Sequence, residues 1–224
     1  MTGFNFQVKV SEVQADQTFE TKLGAEARIE LADWFGKLAI RKIRSPKSYR
    51  SETLDKKLRA RRTREETELL HQAKLVRVEV PEVFFADPKT SEIVMEYVKG
   101  TLLKDIQERK TTKEIYTKLG IYAARLHSKG MIHGDLTTKN VIQSGTRTVL
   151  IDFGLAFISD RLEDKAEDLH LLKQAIKSSG SRLSTHYFDT VLDGYKKEAG
   201  EKETLRVKDQ ILAIEKRGRY ARVD

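Results

Sequence analysis

Hydrophobic and polar positions alternate in short runs over the early part of the chain. The runs Phe19–Leu23, Ala27–Leu31 and Lys37–Ile43 are separated by LGAE and ADWFG. A period of two, broken by turn residues, predicts an antiparallel meander. The next segment changes character: Ser51 to Ala73 has no Gly or Pro and is dense in helix formers, with Leu54, Leu58, Thr63, Leu69 and Leu70 loosely on one side. It predicts one long helix. Val83–Phe85 and Ile93–Tyr97 then read as two further strands flanking the turn ADPKTSE.

Beyond Gly100 the period becomes mainly helical. Thr111 with Glu114 can form a capping box, and Ile115, Leu119, Tyr122, Ala123 and Leu126 make an apolar stripe that stops near Gly130. Val141–Gln143 and Thr148–Asp152 predict a hairpin across SGTR, followed by helical stretches at about 163–179, 184–199 and 204–217. The predicted fold is therefore α+β. A small antiparallel β lobe with one long helix occupies residues 1–98, and a reduced helical lobe occupies 99–224.

Composition narrows the classes of function. With 39% hydrophobic residues the 224-residue chain can bury a core in spite of a charged fraction of 34%. Cysteine is absent, which excludes disulfides, thiolate metal sites and cysteine nucleophiles and suits a reducing compartment, so a cytoplasmic protein is expected. MTGFNFQVKV has no apolar stretch behind a basic start, and nowhere do about 18 apolar residues run together. The expectation is a chain neither secreted nor membrane-spanning.

The net charge of +8 is unevenly placed. From Arg41 to Arg64 there are eleven Lys or Arg against two acids, Glu52 and Asp55, so this window alone carries more than the whole chain's surplus. A second basic group, Lys216, Arg217, Arg219 and Arg222, lies at the C-terminus. Two readings stay open: a solvated helix face, or a footprint for a phosphate backbone, since clustered cations release counterions from nucleic acid.

The chemistry concentrates in HGDLTTKN, His133 to Asn140, and IDFGLA, Ile151 to Ala156. This pair of segments resembles the phosphate-handling end of a kinase. On that resemblance Asp135 would accept or orient the proton of the attacking hydroxyl, while Asn140 and Asp152 would hold Mg²⁺, whose oxygen ligands these residue types supply. Upstream, Lys42 in LAIRKIR resembles the strand lysine that pairs with the α- and β-phosphates of ATP. Side chains alternate along a strand, so Arg41 should face away from it. The partner of Lys42 should be a glutamate of the long helix, Glu66 rather than Glu65. Only Gly24, in LGAEA, stands where protein kinases place several glycines over the phosphates, and it would serve a plain hairpin equally well. IVMEYVKG resembles the kinase hinge, where backbone groups near Glu96 and Val98 would bond the adenine edge.

Departures from ordinary protein kinases restrict the acceptor. His133-Gly134-Asp135 lacks the arginine that reads a phosphorylated activation loop, and Thr137 replaces a lysine whose charge Lys139 could partly supply. After Asp152 the chain contains no proline, the last being Pro88, so the segment that forms a peptide platform cannot exist.

These features together resemble the small atypical, RIO-like serine/threonine kinase subunit of the KEOPS (EKC) complex, the p53-related protein kinase family. The matching pieces are LGAEA, SPKSYR, LDKKLRARRTREETELL, IVMEYVKG, IHGDLTTKN, IDFGLAFIS, EDKAEDL and KRGRYAR, spread over nearly the whole chain. The chain departs by Lys139, where serine is usual, and by a sparser basic end. The resemblance implies an ATP- and Mg²⁺-dependent enzyme that autophosphorylates and works chiefly as an ATPase in making threonylcarbamoyl-adenosine in tRNA. It implies as partners the threonylcarbamoyl-transferase subunit, a small regulatory subunit and tRNA, with the 41–64 window and the tail as candidate tRNA contacts. Two alternatives remain: a small-molecule phosphotransferase of the aminoglycoside or choline kinase kind, which shares the His-Gly-Asp loop, and a non-catalytic scaffold for RNA or protein.

Overall fold

The computed structural model describes residues 22–23, 27–107, 113–180 and 182–220. Two compact units divide the chain: one runs to Glu68 and includes Pro81–Tyr97, and the other joins Leu69–Val80 to the residues from Val98 onward. Among the described residues no helix is long and apolar enough to cross a membrane.

The first unit is built on five strands, β1 (Lys22–Leu23), β2 (Ala27–Trp34), β3 (Lys37–Arg44), β4 (Val83–Asp87) and β5 (Glu92–Glu96). They pair antiparallel in the order β1-β2-β3-β5-β4. Trp34 pairs with Lys37 across a two-residue turn in which Phe35 and Gly36 both have positive φ, 51° and 81°. That is the turn whose twist matches the flanking strands. The buried face of the sheet centres on Ala32, Ala39 and Val94, with Trp34 and Phe84 packed against them.

Helix α1 (Glu52–Leu75) begins in this unit. Its buried positions are Asp55, Thr63, Glu66, Leu69, Leu70 and Ala73, whereas Leu54 is exposed. The predicted apolar stripe is corrected here, because half of the covered face is polar. Those polar side chains are buried with partners: Asp55 with Arg59, Glu66 with Lys42 and Arg44, and Thr63 with the Arg59 carbonyl. A hydrophobic pattern cannot register a face of that kind.

In the second unit β6 (Thr101–Leu102), β8 (Val141–Ser144) and β9 (Arg147–Leu150) form one sheet, and β7 (Met131–Ile132) pairs with β10 (Phe157–Ile158). Helices α2 (Lys113–Ser128), α3 (Leu162–Ser178), α4 (Ser184–Ala199) and α5 (Glu201–Tyr220) complete it. The α2 stripe of Ile115, Leu119, Tyr122, Ala123 and Leu126 is buried as its period predicts. The other half of the predicted capping box, Thr111, lies outside the described residues. Helices α2 and α4 approach so closely that a Cβ on Gly120 would lie 1.9 Å from the Val191 carbonyl oxygen. Glycine at that crossing is a packing requirement. One boundary differs in a way that matters for chemistry: β9 ends at Leu150, so Asp152 stands beyond the strand, with a left-handed φ of 64°. The α+β architecture expected from the sequence, antiparallel strands first and helices after, is the one observed.

Candidate active site

Each unit carries one part of the predicted machinery. In the first, Lys42 and Arg44 share a face of β3 because they are two residues apart. Both are buried, and both reach Glu66 on α1: Lys42 Nζ donates to Oε1 at 2.6 Å and Arg44 Nη2 to Oε2 at 2.5 Å. Arg41 lies on the opposite face, donating to Glu92 at 2.6 and 3.0 Å. Glu65 instead makes a loose pair with Arg61 at 3.5 Å, on the exposed side of the helix. A lysine held this way presents a fixed positive charge, which a flexible lysine on the surface does not. At the end of β5 the Glu96 N–H donates to the Glu82 carbonyl at 2.8 Å, and the Glu96 carboxylate accepts the Glu82 N–H at 3.2 Å. Any adenine contact from Glu96 thus falls to its carbonyl; Val98 is buried and belongs to the second unit. Gly24 lies outside the described residues.

In the second unit the loop after β7 holds three of the predicted residues in a local hydrogen-bonded arrangement. Asn140 Nδ2 donates to both the Asp135 carbonyl, at 2.9 Å, and Asp135 Oδ2, at 2.8 Å. Fixing the amide nitrogen on Asp135 turns the Asn140 carbonyl oxygen the other way, as a metal ligand requires. Lys139 Nζ lies 3.3 Å from Asp135 Oδ2, so the lysine that stands where serine is usual compensates the same carboxylate. Asp152 is exposed, and its Oδ1 accepts the Gly154 N–H at 3.3 Å. Phe153, by contrast, is buried with its ring centroid 4.7 Å from that of His133, which ties the two segments together. Among the described residues no cluster of three or more His, Cys, Asp or Glu could hold a metal. An amide oxygen and one carboxylate fit Mg²⁺ well, since that ion keeps several waters and takes the rest of its shell from phosphates.

Gly134 explains the missing arginine. Its φ is 77°, and a Cβ there would lie 2.3 Å from the Leu155 carbonyl oxygen. The backbone after Asp152 therefore passes directly over the residue before Asp135. Gly134→Ala is expected to lose about 1–3 kcal/mol from the left-handed conformation alone, with more from displacement of the Leu155 segment. Urea unfolding checks this, and a loss below about 0.5 kcal/mol would show that the two loops move apart freely.

Sequence reasoning missed the group that holds this loop. Asp168 on α3 is fully buried, and its carboxylate accepts the His133 N–H at 2.7 Å and the Gly134 N–H at 2.8 Å. His127 Nε2 lies 3.3 Å from the same carboxylate, and its Nδ1 lies 3.1 Å from the Tyr195 hydroxyl. Burial pushes the Asp168 carboxyl up, but the hydrogen bond and attraction of His127, then the charge and N–H of His133, outweigh it and hold it below its ordinary value. Burial, with the charges of Glu203 and Asp168, pushes the Tyr195 hydroxyl well up, so it stays protonated. The available signal was an aspartate on the apolar stripe of a helix, four and eight residues before Leu172 and Ile176.

Known proteins match both the pattern and the fold. A RIO-domain family model matches residues 33–177. A probable bifunctional tRNA threonylcarbamoyladenosine biosynthesis protein of Methanothermobacter thermautotrophicus is 42% identical over 197 residues, covering 88% of this chain and 36% of that protein. The chain thus spans about a third of the length of such bifunctional relatives. The KEOPS complex subunit Bud32 of Pyrococcus abyssi is 41% identical over 209 residues, covering 89% of this chain and 94% of that protein. Among solved structures, the Rio2 kinase-ADP/Mg²⁺-phosphoaspartate complex from Chaetomium thermophilum superposes with a TM-score of 0.62 at 17% identity, over 88% of this chain and 70% of that one. At that identity the likeness speaks for the fold alone. The family-model match and the near full-length relative carry the assignment: this chain belongs to the RIO-domain family, among the Bud32 proteins.

Proposed function

We propose that the chain is an atypical serine/threonine kinase and ATPase that uses Mg²⁺ and ATP. It autophosphorylates and acts in threonylcarbamoyl-adenosine modification of tRNA in the cytoplasm. Its partners are the threonylcarbamoyl-transferase subunit, a small regulatory subunit and tRNA. The observation that carries this reading is the double hydrogen bond from Asn140 to Asp135, which presets the geometry of base and metal ligand.

Residues 1–98 form the nucleotide-covering lobe in this proposal, and residues 99–224 the lobe of the catalytic loop, the metal ligands and the basic tail. Lys42, fixed by Glu66, neutralises α- and β-phosphate oxygens, with Gly24 allowing a backbone N–H close to a phosphate. The backbone of Glu96 and Val98 bonds the adenine edge. Asp135 orients a water or hydroxyl and takes its proton as the γ-phosphorus–oxygen bond to ADP breaks. Asn140 and Asp152 hold Mg²⁺, which when bound neutralises charge developing on the phosphate oxygens. Water is the main acceptor, because the chain lacks proline after Asp152 and has only the residues between Asp152 and α3 for an activation segment.

The test is ATP hydrolysis and autophosphorylation with Mg²⁺, with and without tRNA and the transferase subunit. Turnover that disappears on chelation and returns with Mg²⁺ is expected. No turnover in any combination would leave a scaffold as the better account.

A further inference from the structure

The basic window resolves into groups with different fates. Arg41 is taken up by Glu92, Lys42 and Arg44 by Glu66, and Arg59 by Asp55 at 2.7 Å. Those cations are parts of the fold, so the window is not one uniform solvated face. What they leave is concave. A cavity of about 180 Å³ on the first unit is lined by Arg44, Lys47, Arg50, Arg59 and Arg62, with Tyr49 among them. Asp55 lies 3.8 Å from Arg50 Nη1 as well as being bonded to Arg59, and Glu66 is shared by Arg44 and Lys42. No acidic side chain is among the residues that line the cavity, so its wall is cationic.

Arg44 supplies an independent sign that an anion belongs there. The residue is only 4% exposed, and its Nε is a buried donor with no hydrogen-bond partner among the described residues. A buried N–H left unpaired costs about 1–3 kcal/mol, and proteins rarely tolerate one without a use for it. Guanidinium forks match the oxygens of phosphate in both geometry and charge. A phosphate group entering this cavity would accept from Arg44 and bring compensating charge to its neighbours.

Tyr49 indicates where the phosphate comes from. It is 75% exposed, with the Arg50 guanidinium 5.0 Å from its ring centroid and donating to its hydroxyl at 2.9 Å. An exposed aromatic ring beside a cationic cavity is the pairing that single-stranded nucleic acid uses, base on ring and phosphate in the groove. A free ion or a phosphorylated side chain has no call for the ring. We propose that this cavity binds one backbone phosphate of an RNA strand, with the adjacent base stacked on Tyr49. The site deepens the tRNA reading above and rests on it. It also separates this contact from Lys57, Arg61 and Arg64, which recur at helical spacing on a different side of α1 from Asp55, Arg59 and Arg62 and are all exposed.

The experiment titrates the full chain with inorganic phosphate by calorimetry at constant ionic strength, and with labelled tRNA by anisotropy. Four proteins are compared: the wild type, Arg50→Gln/Arg62→Gln, Tyr49→Ala and Lys57→Gln/Arg61→Gln. The wild type should bind phosphate, and phosphate should compete with tRNA. The cavity variant should weaken both at least tenfold, while Tyr49→Ala weakens tRNA at least fivefold and leaves phosphate binding unchanged. Lys57→Gln/Arg61→Gln should keep phosphate binding. Absence of phosphate binding by the wild type, or its persistence in a folded cavity variant, overturns the site even if tRNA still binds. Phosphate binding that neither competes with tRNA nor accompanies a Tyr49 effect overturns the RNA assignment in favour of a free ion or a phosphorylated protein. A wild type that binds phosphate but no tRNA also overturns that assignment, and the tRNA reading of the proposed function falls with it.

Discussion

Glu66→Ala is expected to destabilise the protein by about 3–5 kcal/mol, the range for removing one partner of a buried ion pair. Lys42 and Arg44 would then stand two residues apart on one face of β3, both buried, each having lost the carboxylate oxygen it now reaches at 2.6 or 2.5 Å. Their mutual repulsion and the loss of the anion they share act in the same direction. Glu66→Gln keeps the volume and one acceptor but turns an N–H toward the second cation, so it should lie between wild type and alanine. Glu65→Ala is the internal control: its pair with Arg61 is exposed and 3.5 Å long, and such i,i+4 pairs contribute about 0.3–0.5 kcal/mol. A double-mutant cycle with Arg44→Met separates the arginine's share, because Glu66→Ala should do less harm once one buried cation is gone. In the same variants ATP hydrolysis should fall with Lys42 released from its fixed position. Urea unfolding gives the energies, and a loss below about 1 kcal/mol for Glu66→Ala would mean that the pair is solvated in practice.

That cluster also marks how far sequence reading reached. The period-two runs located β2 and β3 because one face of the sheet is apolar, and alternation alone places Arg41 opposite Lys42. Helix α2 was legible for the same kind of reason, with five apolar positions at helical spacing on one buried stripe. Helix α1 was legible as a helix but not in its facing, since Asp55, Thr63 and Glu66 are buried through polar partners that hydrophobicity does not encode. Within the site, Asp135 and Asn140 could be associated because five residues of one loop bring them together. Arg44 as a second partner of Glu66, and Asp168 beneath the loop, depend on contacts 22 and 34–35 residues apart in sequence. Such contacts leave only a charged residue where an apolar one is expected. The position of Asp152 beyond β9 was missed because its left-handed backbone has no signature in residue type; an aspartate adopts that conformation more readily than most.

Asp168→Ala should be the most damaging change in the second unit. The carboxylate is fully buried and accepts both backbone N–H groups of His133 and Gly134 while facing His127. Alanine would leave the buried His133 N–H without its acceptor, at about 1–3 kcal/mol, would free the half-buried Gly134 N–H at a smaller cost, and would strip His127 of its anion; a total loss of about 3–5 kcal/mol follows. The catalytic consequence is separable from the stability loss. Asp168 acts on Asp135 through the two residues before it, so it is a positioning residue, and loosening it should lower kcat for ATP hydrolysis much more than it raises KM. Asp168→Asn tests this in a better-folded background, since the amide oxygen can still accept one of the two N–H groups while its NH₂ opposes the other. The acid limb distinguishes charge from shape. The Asp168 carboxyl is held below its ordinary value of 3.8, so its contribution is complete above that pH and is lost as pH falls through the folded-state value. Wild-type stability should therefore drop more steeply below about pH 4 than that of Asp168→Asn. Parallel acid curves for the two proteins, together with unchanged kcat, would show that the loop is held by backbone packing against Leu155 rather than by this carboxylate.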